Sequence, residues 1–259
     1  MLYLLYYKTT MAIVGHKTKD AKKGYGGSQK NYRKVKLSLF FIPIVIIFIV
    51  LSIKTFLSPI YPPYVYFISE DGPIENATFI VYFMTFIVAL LVANSFRKTK
   101  RNLLAVSFFI IAMVFILIAM EEINWGQRII GFETPSFFSE STQGGTSLHD
   151  LRPFSYVEDP AFIVVGFVGG LSWIIFSKLD NPKFNSFKTF FVPRWYLMSY
   201  FIPVSIFYLI LNLAPPDLTS MNSIIQSFYF PKDQEPFEFI LALGFLGFSL
   251  TNYLRLRHK

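Results

Sequence analysis

The run Leu103-Leu104-Ala105-Val106-Ser107-Phe108-Phe109-Ile110-Ile111-Ala112-Met113-Val114-Phe115-Ile116-Leu117-Ile118-Ala119-Met120 passes without a break into Glu121-Glu122-Ile123-Asn124-Trp125-Gly126-Gln127-Arg128. Eighteen uncharged, mostly apolar residues in a row read as a membrane span, because about 20 are needed to cross the hydrocarbon. Two adjacent carboxylates where such a helix ends are costly unless something there uses or satisfies them. If the helix continues through them, Glu121, Trp125 and Arg128 fall on one face, since residues four and seven apart stack over one another.

Five further apolar windows flank this one, at residues 38–57, 77–96, 161–177, 196–214 and 237–254. With 53% hydrophobic residues and 31 Phe in 259 positions, the chain fits a lipid-embedded bundle rather than a water-soluble domain. The predicted fold is therefore all-α, a polytopic six-transmembrane-helix bundle over residues 37–259, with outer loops 58–76, 121–160 and 215–236. Residues 1–36 are rich in Lys, Gly and Ser and read as a disordered basic cytoplasmic tail, in which Met11 offers an alternative start to Met1.

A net charge of +8 would suggest nucleic acid in a soluble protein, but the placement of the charges points elsewhere. With the N-terminus in the cytoplasm, 20 of the 24 Lys and Arg lie on the cytoplasmic side, while 14 of the 16 acidic residues lie outside. This is the positive-inside pattern, kept through all six crossings. It places both termini in the cytoplasm and the Glu-Glu stretch on the outer face of a cell membrane. Membrane lipids are the expected partners and nucleic acid is not, since Tyr25 and Tyr32 are too sparse to stack bases. With no cysteine, disulfides, thiolate metal ligands and cysteine nucleophiles are excluded.

The outer segments hold the candidate chemistry. In Ser69-Glu70-Asp71-Gly72-Pro73-Ile74-Glu75-Asn76, Asp71-Gly72-Pro73 is a turn signal, and Glu75 suits the dipole at a helix start. The second and third spans are joined by only six residues, so they are antiparallel neighbours and bring Glu70 and Glu75 to the face that carries Glu121 and Glu122. The long loop 121–160 contains His149-Asp150, the only histidine outside the tails, and Phe137-Phe138, suited to the headgroups. Gly166-x-x-x-Gly170 and Ala242, Gly244 and Gly247 are small-residue packing faces. Pro203 predicts a kink in the fifth span. Asp233-Gln234-Glu235-Pro236-Phe237-Glu238 is a further acidic helix start.

Together, Glu70, Asp71, Glu75, Glu121, Glu122, His149 and Asp150 can support three kinds of site. A divalent metal on Glu121, Glu122, His149 and Asp150 can activate water against a lipid ester, amide or phosphate. One Glu can act as general base without metal, since like charges crowded in low dielectric resist ionising together. Or Arg128 or Arg152 can simply neutralise the pair. The leading expectation is a hydrolase or transferase acting on a lipid or lipid-linked substrate. In it Glu121 and Glu122 are base or ligands, His149 is a ligand or proton shuttle, and Arg128 is an anion clamp. Trp125 and Gln127, with Glu70 and Glu75, position the substrate. A proton- or cation-coupled transporter and a non-catalytic scaffold are the alternatives.

Several intramembrane hydrolase signatures fail. Glu121-Glu122 is followed by five residues before Arg128, unlike the spacing of CAAX-type proteases, and His-Glu-x-x-His is absent. One resemblance holds over residues 70–151. Glu70-Asp71-Gly72-x-x-Glu75, then Glu121-Glu122-Ile123-x-Trp125-Gly126-Gln127-Arg128, then Gln143-Gly144-x-Thr146-x-Leu148-His149 resembles a family of bacterial multi-pass membrane proteins. That family reads Glu-Glu-Ile-Ser-Trp-Gly-Gln-Arg and Gln-Gly-Glu-Thr-Asn-Leu-His-Asn. This chain departs at Asn124, Gly145, Ser147 and Asp150, and Gly145 removes a carboxylate. The resemblance implies membership and no particular activity.

Overall fold

The computed structural model describes residues 25–57, 62–69, 72–138, 146, 152–179, 181–213 and 233–257. Glu70, Asp71, His149 and Asp150 lie outside them, as do residues 1–24 and most of the loop 215–236. Among the described residues the chain is wholly helical: α1 Tyr25–Leu57, α2 Pro62–Ile68, α3 Pro73–Lys98, α4 Asn102–Glu122, α5 Arg152–Lys178, α6 Asn185–Phe190, α7 Met198–Leu213 and α8 Glu235–Arg257. Six of these runs are long and apolar enough to cross a membrane, and they cover the six predicted windows. Because they alternate in direction, one end of the bundle collects the Lys and Arg of the connections and the other collects the carboxylates. We call these the basic and acidic ends.

Helices α3 and α4 form an antiparallel hairpin, turned by Lys100 in the left-handed region (φ 58°) and tied by Arg101 N–H to the Phe96 carbonyl at 3.0 Å. Helix α8 packs along α3 and also along α7, which in turn pairs with α5, so α8 joins the two halves. The α5/α7 seam is closed by glycine. A Cβ on Gly166 would sit 2.7 Å from the Phe201 carbonyl, and one on Gly170 2.5 Å from Ile202, so only hydrogen fits there. The Ser205 hydroxyl donates across this seam to the Ile163 carbonyl at 2.7 Å. Gly244 and Gly247 likewise let α8 approach Tyr200 and Leu197. Both small-residue faces are thus used inside the chain. At the basic end Phe96, Phe108 and Phe190 are buried together, and the Asn252 amide holds α6 by donating to the Phe190 carbonyl at 2.9 Å. Helix α1 touches α7 and the turn before it, where Phe40 meets Trp195, and presents much of its apolar surface outward, Phe48 at 71% exposure, as a lipid-facing helix does.

Three expectations need correction. Helix α1 starts at Tyr25, inside the segment 1–36 that was expected to lack structure. Adding turns to an existing helix costs little, and Gln29, Lys30, Arg33, Lys34 and Lys36 are good helix formers. Helix α5 starts at Arg152, shortening the expected loop 121–160. Lastly, α4 does not run on through the Glu-Glu motif. It stops at Glu122, and Asn124, Trp125 and Gly126 take left-handed φ values of 48°, 55° and 78° in succession.

Candidate functional site

That reversal of the chain shapes the acidic end. Asn and Gly enter the left-handed region readily, whereas Trp125 is strained there by roughly 1–2 kcal/mol. The turn is held by the Gly126 N–H donating to the Ile123 carbonyl at 2.9 Å, and by the Thr146 hydroxyl donating to the Asn124 carbonyl at 2.6 Å. With the helix broken, the indole N–H of Trp125 folds back onto Glu121 and donates to its Oε1 at 2.6 Å. The Gln127 amide donates to the Thr134 hydroxyl at 2.8 Å, pinning the next segment. Trp125 and Gln127 therefore brace the turn from beside the cavity described next, and the single face expected for Glu121, Trp125 and Arg128 does not form as a helix surface.

The cavity measures about 740 Å³. Its roof at the acidic end is Glu75 from α3, Glu121 and Glu122 from α4, Glu158 from α5, and Glu235 and Glu238 from α8. Below these six carboxylates the walls turn apolar, with Ile110, Val114 and Ile118 on one side, Ala161 and Val165 on the other, and Phe115, Phe245 and Phe248 as the floor. Among the described residues, helices α4 and α5 make little contact with each other. The cavity lies between them, and Ile110 and Val114 of its lining are exposed at 57% and 47%, as on a surface that meets a bilayer.

Within the roof, Glu122, Glu235 and Glu238 each offer an oxygen within 4.8 Å of the others. Oxygens bound about 2.3–2.6 Å from a Ca²⁺ ion stand at most about 5 Å apart, so the three can hold a hard cation of that size, and a smaller one such as Mg²⁺ once the oxygens draw in to about 4 Å. The Tyr208 hydroxyl donates to Glu238 Oε1 and orients it. Carboxylates this crowded need protons or a cation to coexist.

The structure thus brings together Glu75, Glu121 and Glu122 of the expected set. The expected metal set changes: of its members Glu122 joins the three-carboxylate group, Glu121 is engaged by Trp125, and His149 and Asp150 lie outside the described residues. Three members were missed, Glu158, Glu235 and Glu238. The sequence did contain a signal for the last two, since an i, i+3 pair of glutamates at a helix start shares one face.

A second polar group lies at the same end. The Lys54 ammonium is paired with Asp233, and the Tyr64 hydroxyl donates to the other oxygen of Asp233 at 2.8 Å. All three are buried, and they tie the end of α1, α2 and the start of α8 together. No protein-family model matches the chain, and comparison with curated proteins and with solved structures gives no match.

Proposed function

We propose that this six-span membrane protein is a hydrolase or transferase of the bacterial cell membrane that acts on a lipid or lipid-linked substrate. Both termini are cytoplasmic in this reading, and the carboxylate end faces outward, as the charge bias across the bilayer requires. One observation carries it: a single cavity has a roof of six carboxylates and apolar walls, with exposed apolar residues of α4 and α5 in its lining. An amphiphile lying in a leaflet matches that division, head against the carboxylates and tail along the walls. A small water-soluble substrate would have no use for the apolar portion.

In this reading Glu122, Glu235 and Glu238 would hold a divalent cation, which would supply Lewis-acid chemistry toward an acyl or phosphoryl oxygen and a bound water. Glu75 or Glu158 on the same rim takes the proton, and Glu121 is held in place by Trp125. His149 as proton shuttle and Arg128 as anion clamp belong to the proposal, as does membership of the bacterial family with the Glu-Glu-Ile-x-Trp-Gly-Gln-Arg motif. Two facts weigh against the alternatives. An ion-coupled carrier needs a polar route to the basic end, whereas the described lining below Tyr82 is apolar apart from Ser172. A scaffold built on the glycine faces would need them free, and they are spent on α7.

The test is comparative lipidomics of a deletion strain complemented with wild type, Glu122→Gln or His149→Ala. The expected result is that Glu122→Gln leaves the same accumulated lipid as the deletion. Full restoration of the wild-type lipid profile by Glu122→Gln, expressed at wild-type level, would overturn the proposal.

A further inference from the structure

The apolar part of the cavity does not end at the middle of the bundle. A second chamber of about 330 Å³ shares Val165, Phe191, Phe245 and Phe248 with the first. It continues along α5 past Val168 and Ser172 to Phe176, reaching Phe187 and Pro193 near the basic end. On its open side Val164 and Val168 are exposed at 59% and 61%. The two chambers adjoin at the four shared residues, whose three phenylalanines form an aromatic neck, and together they line one furrow along α5.

Helix geometry gives its length. From Glu158 to Phe176 along α5, at about 1.5 Å per residue, the furrow runs roughly 27 Å. From Glu235 to Phe248 along α8, the first chamber alone spans roughly 20 Å. The hydrocarbon is about 30 Å thick, so one leaflet is about 15 Å. The first chamber with its carboxylate roof takes a head and one leaflet's depth of chain, and the whole furrow nearly crosses the bilayer. The chains of an ordinary two-chain lipid end near the midplane. Such a lipid would fill the upper chamber and stop at the neck.

We infer that the furrow binds a lipid with a single apolar chain longer than one leaflet, of the polyisoprenoid class, which slides in sideways between α4 and α5 and sets its polar head at the carboxylates. The position of the head rests on the proposed function; the chain length rests on the furrow alone. The neck selects one chain, and the second chamber receives the part that would otherwise protrude into the opposite leaflet.

The experiment uses the full chain in nanodiscs with Mg²⁺ and measures competition against a photoreactive lipid. The probes are a long-chain polyprenyl phosphate, farnesyl phosphate and dioleoyl phosphatidic acid. Wild type should favour the long-chain probe over farnesyl phosphate by about tenfold or more. Val164→Trp and Val168→Trp, which line the second chamber and not the first, should abolish that preference and leave farnesyl phosphate binding within about twofold. Both positions face outward, so added bulk need not disturb the core, and unchanged farnesyl phosphate binding confirms that the variants are folded. Equal affinity for long and short chains in wild type overturns the inference, as does a long-chain preference that survives both Trp variants. Tightest binding by phosphatidic acid overturns it too and assigns the furrow to common two-chain lipids. The same competition run on Glu122→Gln separates the two readings. A persistent chain preference beside a restored lipid profile sinks only the enzyme; a lipid defect without chain preference sinks only this inference.

Discussion

Asp233 and Glu235 stand two residues apart at the start of α8, both buried, and the protein treats them oppositely. Asp233 is closed in by the Lys54 ammonium and the Tyr64 hydroxyl, charge matched to charge. Glu235 turns to the cavity and gathers with Glu122 and Glu238. Burial alone therefore does not mark a working carboxylate. The first arrangement fastens three elements together; the second concentrates like charge where a ligand can reach it.

The sharpest way to break this comparison is to remove Lys54. Lys54→Met strands a buried carboxylate and should cost about 3–5 kcal/mol, read as a lowered melting temperature in detergent. Adding Asp233→Leu should return most of that loss, since an apolar pair of similar volume tolerates burial. A Lys54→Met variant that melts like wild type would show that the pair fastens nothing.

The cluster should behave the other way round. Glu238→Gln keeps an oxygen to accept from Tyr208 and should change stability by less than about 1 kcal/mol, while turnover, measured as clearance of the lipid that the deletion strain accumulates, falls about hundredfold or more. If stability and turnover fell together, the distinction between fastening and working carboxylates would collapse.

Helix α5 allows a milder version of the same contrast. Gly166→Ala forces a methyl against the Ser205 hydroxyl and to 2.7 Å from the Phe201 carbonyl, and should cost about 1–3 kcal/mol by thermal melting. Val165→Ala, one residue away on the furrow side, should change the melting temperature far less. The smallest effect is expected at Trp125→Phe, which keeps the ring and deletes the indole donor to Glu121. It should cost about 1 kcal/mol of stability, with a larger relative loss of turnover if Glu121 must be held in place.

How much of this was legible before the fold was known depends on the range of the interaction. The six spans could be read because the preference of an apolar run for hydrocarbon is a property of that run alone. The closeness of Glu75 to Glu121 and Glu122 was also legible, since a six-residue connection leaves α3 and α4 no arrangement but an antiparallel pair. The use of Gly166 and Gly170 as a packing face was readable as well, though not its target. Glu158, Glu235 and Glu238 were not assigned to the site, because nothing local tells a capping carboxylate from a clustered one. Lys54 in sequence is one more charge at the end of a span, and its partner lies 179 residues away.

By itself, then, the order of residues determined which segments cross the bilayer, which end of the bundle gathers acid and which gathers base, and that the Glu-Glu motif closes a span. The tertiary structure alone decided that the helix breaks at Asn124, because three consecutive left-handed residues persist only where neighbours such as Thr146 hold them. It also decided that α4 and α5 stand apart while α5 and α7 close. Hydropathy is summed along a chain, whereas a cavity is the place where two surfaces fail to meet, and that depends on every helix packed around it.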